Sequence, residues 1–196
     1  EIAEAIAKEL SVKSEFVQND WSNLVPSLER GSFDMIMNGL EVTDSRIGRV
    51  LFTRPYYAFA ERLMSRANDN SVQADLALLK NKKVGTLSNS LAFEMLRTSA
   101  EPVVYEGTEE PYADLVNGRT DAVLLDDIIA TRYGEPKPEL KVVGDLRVGY
   151  YAIAIRPTEP DLHEAIDDAL AKMEARGELK AILERAPDVE VVAVND

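Results

Sequence analysis

Cysteine is absent from the 196 residues, and histidine occurs once, as His163. The first absence excludes disulfide frameworks, thiolate metal sites and cysteine nucleophiles; the second leaves no His-dependent triad unless His163 supplies it. Positive charge is also scarce. With 22 Lys and Arg against 35 Asp and Glu, the formal net charge is −13. Nucleic-acid binders need clustered basic side chains to displace counterions, so nucleic acid is not expected as a partner, and neither are anionic membrane surfaces. No apolar run approaches the roughly 20 residues that cross a bilayer, so no membrane span is expected in this segment.

What is present is a globular composition, 45% apolar, long enough for one domain or two small lobes. Ile2, Ile6 and Leu10 recur with Glu1, Glu4, Lys8 and Glu9 opposite, an amphipathic helix already under way at the first residue. With no initiator Met, cap or leader before that helix, the sequence reads as a piece of a longer chain.

Beyond the helix, β-rich and helical stretches alternate. Residues 12–18 alternate as a strand does, Trp21, Leu24, Val25 and Leu28 take helical spacing, and Gly31 suits a C-terminal cap. Residues 33–37 form a short apolar strand, and Thr43 is placed to cap a short helix through Arg46 and Val50. Residues 54–66 read as extended. Helices are expected at 75–80, 91–99 and 112–117, and strands at 83–87, 102–105, 121–125, 141–143 and 150–155. A last helical stripe, Leu162 to Met173, ends at Gly177. This order predicts an α/β fold with mostly parallel sheets.

An internal echo organises the chain. Leu28-Glu29-Arg30-Gly31-Ser32-Phe33-Asp34 precedes one apolar run, and Leu115-Val116-Asn117-Gly118-Arg119-Thr120-Asp121 precedes another. Both read helix, Gly cap, Asp, strand, as two lobes built alike would. Ligands of open α/β sheets bind beyond the carboxyl ends of strands, which here are followed by Asn38, Gly39, Glu41, Thr43 and Arg46 in one case and Asp126 and Asp127 in the other.

A guanidinium grips a carboxylate by two parallel hydrogen bonds, and an aspartate is the natural counter-charge of an ammonium, so the two sets suit a small zwitterion such as an α-amino acid. Each residue also has a plainer reading. Arg46 can be a solvated helix residue paired with Asp44 or Glu41, Asp126 or Asp127 a cap for a helix from Ile128, and Ser88, Asn89 and Ser90 caps rather than an anion site. Trp21 either stacks on a ligand or joins the core; Tyr56 and Tyr57 are expected at a lobe junction, and His163 in solvent.

The run Trp21-Ser22-Asn23-Leu24-Val25-Pro26-Ser27-Leu28, with Gly31, Asp34, Asn38-Gly39-Leu40-Glu41-Val42-Thr43-Asp44-Ser45-Arg46 and Phe52-Thr53-Arg54-Pro55-Tyr56-Tyr57, resembles the polar amino-acid-binding proteins of ABC importers, the extracellular solute-binding family 3. Lys83-Val84-Gly85, Asp114-Leu115, Gly118, Asp121, Asp126 and Ala175-Arg176-Gly177 extend the resemblance over essentially the whole chain. It implies a type-II periplasmic-binding-protein fold of two lobes facing a cleft. Lobe one would be residues 1–58 and 154–196, lobe two 62–147, with hinges near 58–61 and 148–154. It also implies that Arg46 holds a ligand α-carboxylate, that Asp126 holds the α-ammonium, that Trp21 lines the side-chain pocket, and that Gly39, Glu41 and Ser90 complete the polar cage; Asn38, just beyond the first strand, is a further ligand-binding candidate.

Two departures bear on the ligand. Glu41 stands where many members carry Ser or Thr, adding a carboxylate that favours a cationic ligand, and Asn89-Ser90 stands where many have Gly-Thr. Members also begin with a strand and loop before the first helix, so lobe one is expected to lack its first strand. The function expected is extracytoplasmic or periplasmic capture of a polar or basic amino acid by hinge closure, for a membrane permease of an ABC importer. No bond is broken, so no catalytic residue, metal or cofactor is expected. The rivals are a periplasmic prephenate or arogenate dehydratase with Glu41 as its acid, and a ligand-sensing module fused to a receptor or permease.

Overall fold

A computed structural model describes residues 1–185. The chain divides into two compact units, Glu1–Ala58 with Tyr150–Asp196, and Phe59–Gly149. Residues 186–196, the end of the expected lobe one, lie outside the described residues.

The first unit opens with α1 (Ile2–Glu9), which buries Ala3, Ile6 and Ala7 on one face. Residues 12–18 are not a strand. Their alternation is real, but among the described residues no hydrogen bond engages the backbone of residues 13–19, and a strand is defined by its partner. A 3₁₀ turn at Trp21–Asn23 leads into α2 (Leu24–Glu29), and Gly31, at φ +81°, turns the chain into the short strand β1 (Met35–Ile36). Leu24, Val25, Leu28, Ile36, Leu40, Val50 and Ala154 form the core here, with Trp21, Phe33 and Phe52 packed on it. The helix expected after Thr43 is a single turn. The amides of Arg46 and Ile47 both donate to the Thr43 carbonyl at 3.1 Å, and Gly48, at φ +88°, ends it.

The chain leaves the first unit within β2 (Leu51–Arg66), a 16-residue strand. The second unit adds β3 (Lys83–Leu87), α3 (Leu91–Leu96), β4 (Glu101–Tyr105), α4 (Glu110–Val116), β5 (Ala122–Asp126) and the single turn α5 (Asp127–Ile129). It returns within β6 (Leu140–Ile155), then forms α6 (Pro160–Ala175) and α7 (Glu178–Glu184). The two strands expected at 141–143 and 150–155 are therefore one. Its glycines suggest a break, but Gly149 is there because a Cβ would strike the Phe59 ring. Arg62 of β2 also holds Asp145 of β6 by two hydrogen bonds of 2.8 and 3.1 Å.

Within the second unit the strand order is β6-β2-β5-β3-β4. β3 is parallel to β4 and to β5, while β2 runs antiparallel to β5. In the first unit β1 pairs antiparallel with the end of β6, Met35 opposite Ile155 and Ile36 opposite Ala154. The sheet is thus mixed rather than mostly parallel, because β2 and β6 each run on through the point where the chain changes unit. His163 is not simply solvated. Its Nε2 lies 2.8 Å from the Phe52 carbonyl, tying the start of α6 to β2.

β5 is buried along its length, and Leu125 joins Met64, Leu87, Tyr112, Leu115 and Val123 in the core beneath it. Leu125→Ala should cost about 2–5 kcal/mol, the transfer term plus a cavity that this sheet cannot close. Urea unfolding checks it: a lower midpoint at unchanged slope is expected.

Candidate functional site

Each unit presents its own set of polar residues. In the first, β1 is followed by exposed Asn38 and then by Gly39, whose φ of +78° is a conformation that favours glycine. The Gly39 amide donates to the Tyr56 hydroxyl at 3.1 Å. Tyr56 and Tyr57 are both buried and lie against Tyr151, at ring centroid distances of 6.4 and 5.6 Å. The next residues run beside β6: the Leu40 carbonyl accepts from Ala152, Glu41 bridges Tyr151, and the Val42 amide donates to the Tyr150 carbonyl.

This places Glu41 and Arg46 together inside the unit, at 2% and 5% exposure. Arg46 is neither solvated nor helical. Its Nη1 donates to the Glu41 carbonyl at 2.8 Å and to Glu41 Oε2 at 3.1 Å, and its guanidinium carbon lies 5.4 Å from the Trp21 ring centroid. An arginine held at one nitrogen by a carbonyl and a carboxylate, and laid over an indole, has its planar fork oriented before any ligand arrives. The carboxylate of Glu41, expected from sequence to face a ligand cation, shares its charge with Arg46 inside this unit.

In the second unit β5 carries Asp126 at its carboxyl end, 5% exposed, as the residue preceding α5, to which its side chain makes no capping bond. Asp127 accepts instead from the Ile128 amide at 2.9 Å, and burial raises its carboxyl pKa against the lowering effect of the Ala60 and Ile128 amides. Ser90 is a cap. Its hydroxyl donates to the Leu87 carbonyl and accepts from the Phe93 amide, both at 3.0 Å, at the start of α3. Asn89 before it adopts a φ of +52°.

Sequence reasoning missed Glu61. It is fully buried in β2 and sits directly opposite Asp126 in the strand register, a carboxylate oxygen of each within 4.8 Å of the other. The available signal was an acid that, with Arg62 beside it, interrupts the apolar run from Tyr56 to Met64. Tyr56 was expected only as packing, whereas its hydroxyl fixes the Gly39 turn.

Comparison with known proteins follows this geometry. The model of the bacterial extracellular solute-binding proteins, family 3, matches residues 1–186. The histidine-binding periplasmic protein of Salmonella typhimurium is 27% identical, over 97% of this chain and 78% of its own. An ancestral arginine-binding protein bound to arginine superposes with a TM-score of 0.86 at 31% identity, over 94% of this chain and 84% of that one. An ancestral amino acid-binding protein, a precursor of cyclohexadienyl dehydratase, does so with a TM-score of 0.81 at 28% identity, over 94% and 82%.

Burial pushes the Tyr56 phenol up to about 12, the Gly39 amide offsetting part of the rise. An unfolded tyrosine titrates near about 10, so the folded chain keeps this proton longer. The resulting stability is complete below that pH and is lost as pH rises through the folded value. Tyr56→Phe should therefore make the fall of the urea midpoint between about pH 10 and 12 shallower.

Proposed function

We propose, because this chain belongs to the bacterial extracellular solute-binding proteins of family 3, that it captures a polar or basic amino acid outside the cytoplasm and delivers it to the permease of an ABC importer. Its fold is the type-II periplasmic-binding-protein α/β fold shared with the arginine-binding relative. The two compact units act as the lobes, with hinges near 58–61 and 148–154. Arg46 receives the α-carboxylate and Asp126 the α-ammonium; Trp21 lines the side-chain pocket, and Asn38, Gly39 and Ser90 supply further polar contacts. Glu41 keeps the Arg46 fork in place and adds negative charge that favours a cationic side chain.

The observation that carries this reading is the buried Arg46 fixed by Glu41 and Trp21. A buried guanidinium with its plane pre-set loses little freedom on gripping a carboxylate. Relatives named for histidine and arginine agree with a polar or basic ligand. No step makes or breaks a bond, so the chain is a binding protein and not an enzyme.

One observation favours a second reading, the likeness to a dehydratase precursor. A dehydratase needs an acid that protonates a leaving hydroxyl, and Glu41 is the candidate. A carboxylate already accepting from a guanidinium is badly placed to deliver a proton. Incubation with prephenate and arogenate should yield no aromatic product; turnover would establish the enzyme.

A thermal-shift screen of the twenty amino acids tests the binding reading. At 100 times Kd the ligand adds about 2.7 kcal/mol, a rise of roughly 5–10 °C in Tm for a chain of this size. Arginine, lysine or histidine should give it, and a flat response to all twenty would refute the assignment. Arg46→Lys keeps the charge and loses the fork, so calorimetry should show affinity at least about thirtyfold weaker with the fold retained.

A further inference from the structure

We propose that Arg66 and Arg156 are equivalent positioning residues, one in each unit, and that each fixes the strand that delivers its unit's ligand contacts: β5 with Asp126 in the second unit, β1 with the segment from Gly39 to Arg46 in the first. The inference rests on the amino-acid-binding reading above. Its ground is the run that occurs twice, Leu28 to Asp34 in the first unit and Leu115 to Asp121 in the second. In both copies the glycine amide returns to the first carbonyl, from Gly31 to Leu28 at 3.0 Å and from Gly118 to Leu115 at 3.1 Å. Both copies also receive an arginine from a strand distant in sequence, bonded at the same places. Arg66 Nη1 donates to the carbonyls of Leu115 and Thr120, the first and sixth residues of the run, at 3.2 and 2.6 Å, and its Nη2 lies 4.0 Å from the carboxylate of Asp121, the seventh. Arg156 Nη1 donates to the carbonyls of Leu28 and Phe33, again the first and sixth, and its Nη2 donates to Asp34, again the seventh, at 3.1 Å. Each Nη2 also faces an acid three residues after the arginine itself, Asp69 at 3.5 Å and Glu159 at 3.2 Å.

Register explains the correspondence. Ser65 pairs with Ala122 and Ile155 with Met35, both antiparallel, so one step further along puts Arg66 beside Asp121 and Arg156 beside Asp34. Each run starts in the last turn of a helix, α4 or α2, where the final carbonyls are short of donors from the helix itself. One planar guanidinium thereby ties a helix end to the first residues of the following strand, and the helix dipole favours a cation at that place. Five residues on from the clamped aspartate, the strand reaches a site residue, Asp126 in one unit and Gly39 in the other. A binding group must be held to within about 0.5 Å by the residues that support it, so what fixes the strand fixes the contact. The need is greatest at β1, which is only two residues long. Lysine cannot substitute, because an ammonium is a point charge without the fork that reaches two carbonyls and a carboxylate together.

Calorimetric titration of the full chain with three probes tests this: L-arginine, agmatine, which lacks the α-carboxylate, and δ-guanidinovalerate, which lacks the α-ammonium. Arg66→Lys should cut the preference for arginine over δ-guanidinovalerate by at least about tenfold, through Asp126, and leave the preference over agmatine within about twofold of the parent's. Arg156→Lys should do the reverse, through Arg46. Asp121→Asn and Asp34→Asn remove one arm of each clamp and keep the carbonyl bonds, so they should move the same ratios in the same directions by less, and they decide the matter if a lysine variant does not fold. Variants with a lower urea midpoint and both ratios at the parent's values would overturn the proposal, leaving the two arginines as stabilisers of the fold alone. A parent chain that binds arginine no better than either analogue would instead refute the assignment of the ligand contacts, and the proposal with it.

Discussion

The ion pair between Arg46 and Glu41 is the interaction on which the first unit's polar set depends. Neither charge could sit at 5% and 2% exposure alone. Removing one partner of such a pair costs about 3–5 kcal/mol, because the other is left buried and uncompensated. The pair in turn requires the chain to leave β1 through a left-handed residue at Gly39, to run beside β6 for three residues, and to make one tight turn from Thr43 to Arg46. Tyr56 and Tyr151 fix that path, one by accepting the Gly39 amide, the other by packing on the glycine face where a Cβ would lie 3.5 Å from its ring. The position of the guanidinium is therefore specified by backbone conformation several residues away from it.

The second unit solves a related problem with a different device. Asp126 arrives at the end of a strand buried on both faces, so its position is set by the sheet, not by a loop. Glu61 lies opposite in the register of β2, so two acids meet at this buried end of the unit.

Much of this was legible in the sequence because local chemistry dictated it. The repeat of helix, glycine, aspartate and strand is present twice in the structure, with Gly31 and Gly118 both left-handed at φ +81° and +71°. The strand at Lys83–Leu87 and the helix through Leu170 and Met173 follow directly from apolar spacing. The misreadings share a cause. Residues 12–18 carry a strand pattern without a described partner, β6 carries glycines that answer to Ala74 and Phe59 rather than to a turn, and His163 finds a carbonyl 111 residues away. Pairing, close approach and long-range hydrogen bonds are properties of neighbours distant in sequence, and a single sequence does not print them. Glu61 was hidden for the same reason, since its significance comes from the residue across the strand.

The role of Arg46 as the receptor of an α-carboxylate is tested most directly by calorimetric titration of arginine against agmatine, which keeps the guanidinium and the amine and lacks the carboxylate. Removing the one group that the oriented fork grips should weaken binding by at least about 100-fold, the loss of a charge-assisted bidentate contact. Equal affinity for arginine and agmatine would contradict that role and return Arg46 to a purely structural partner of Glu41.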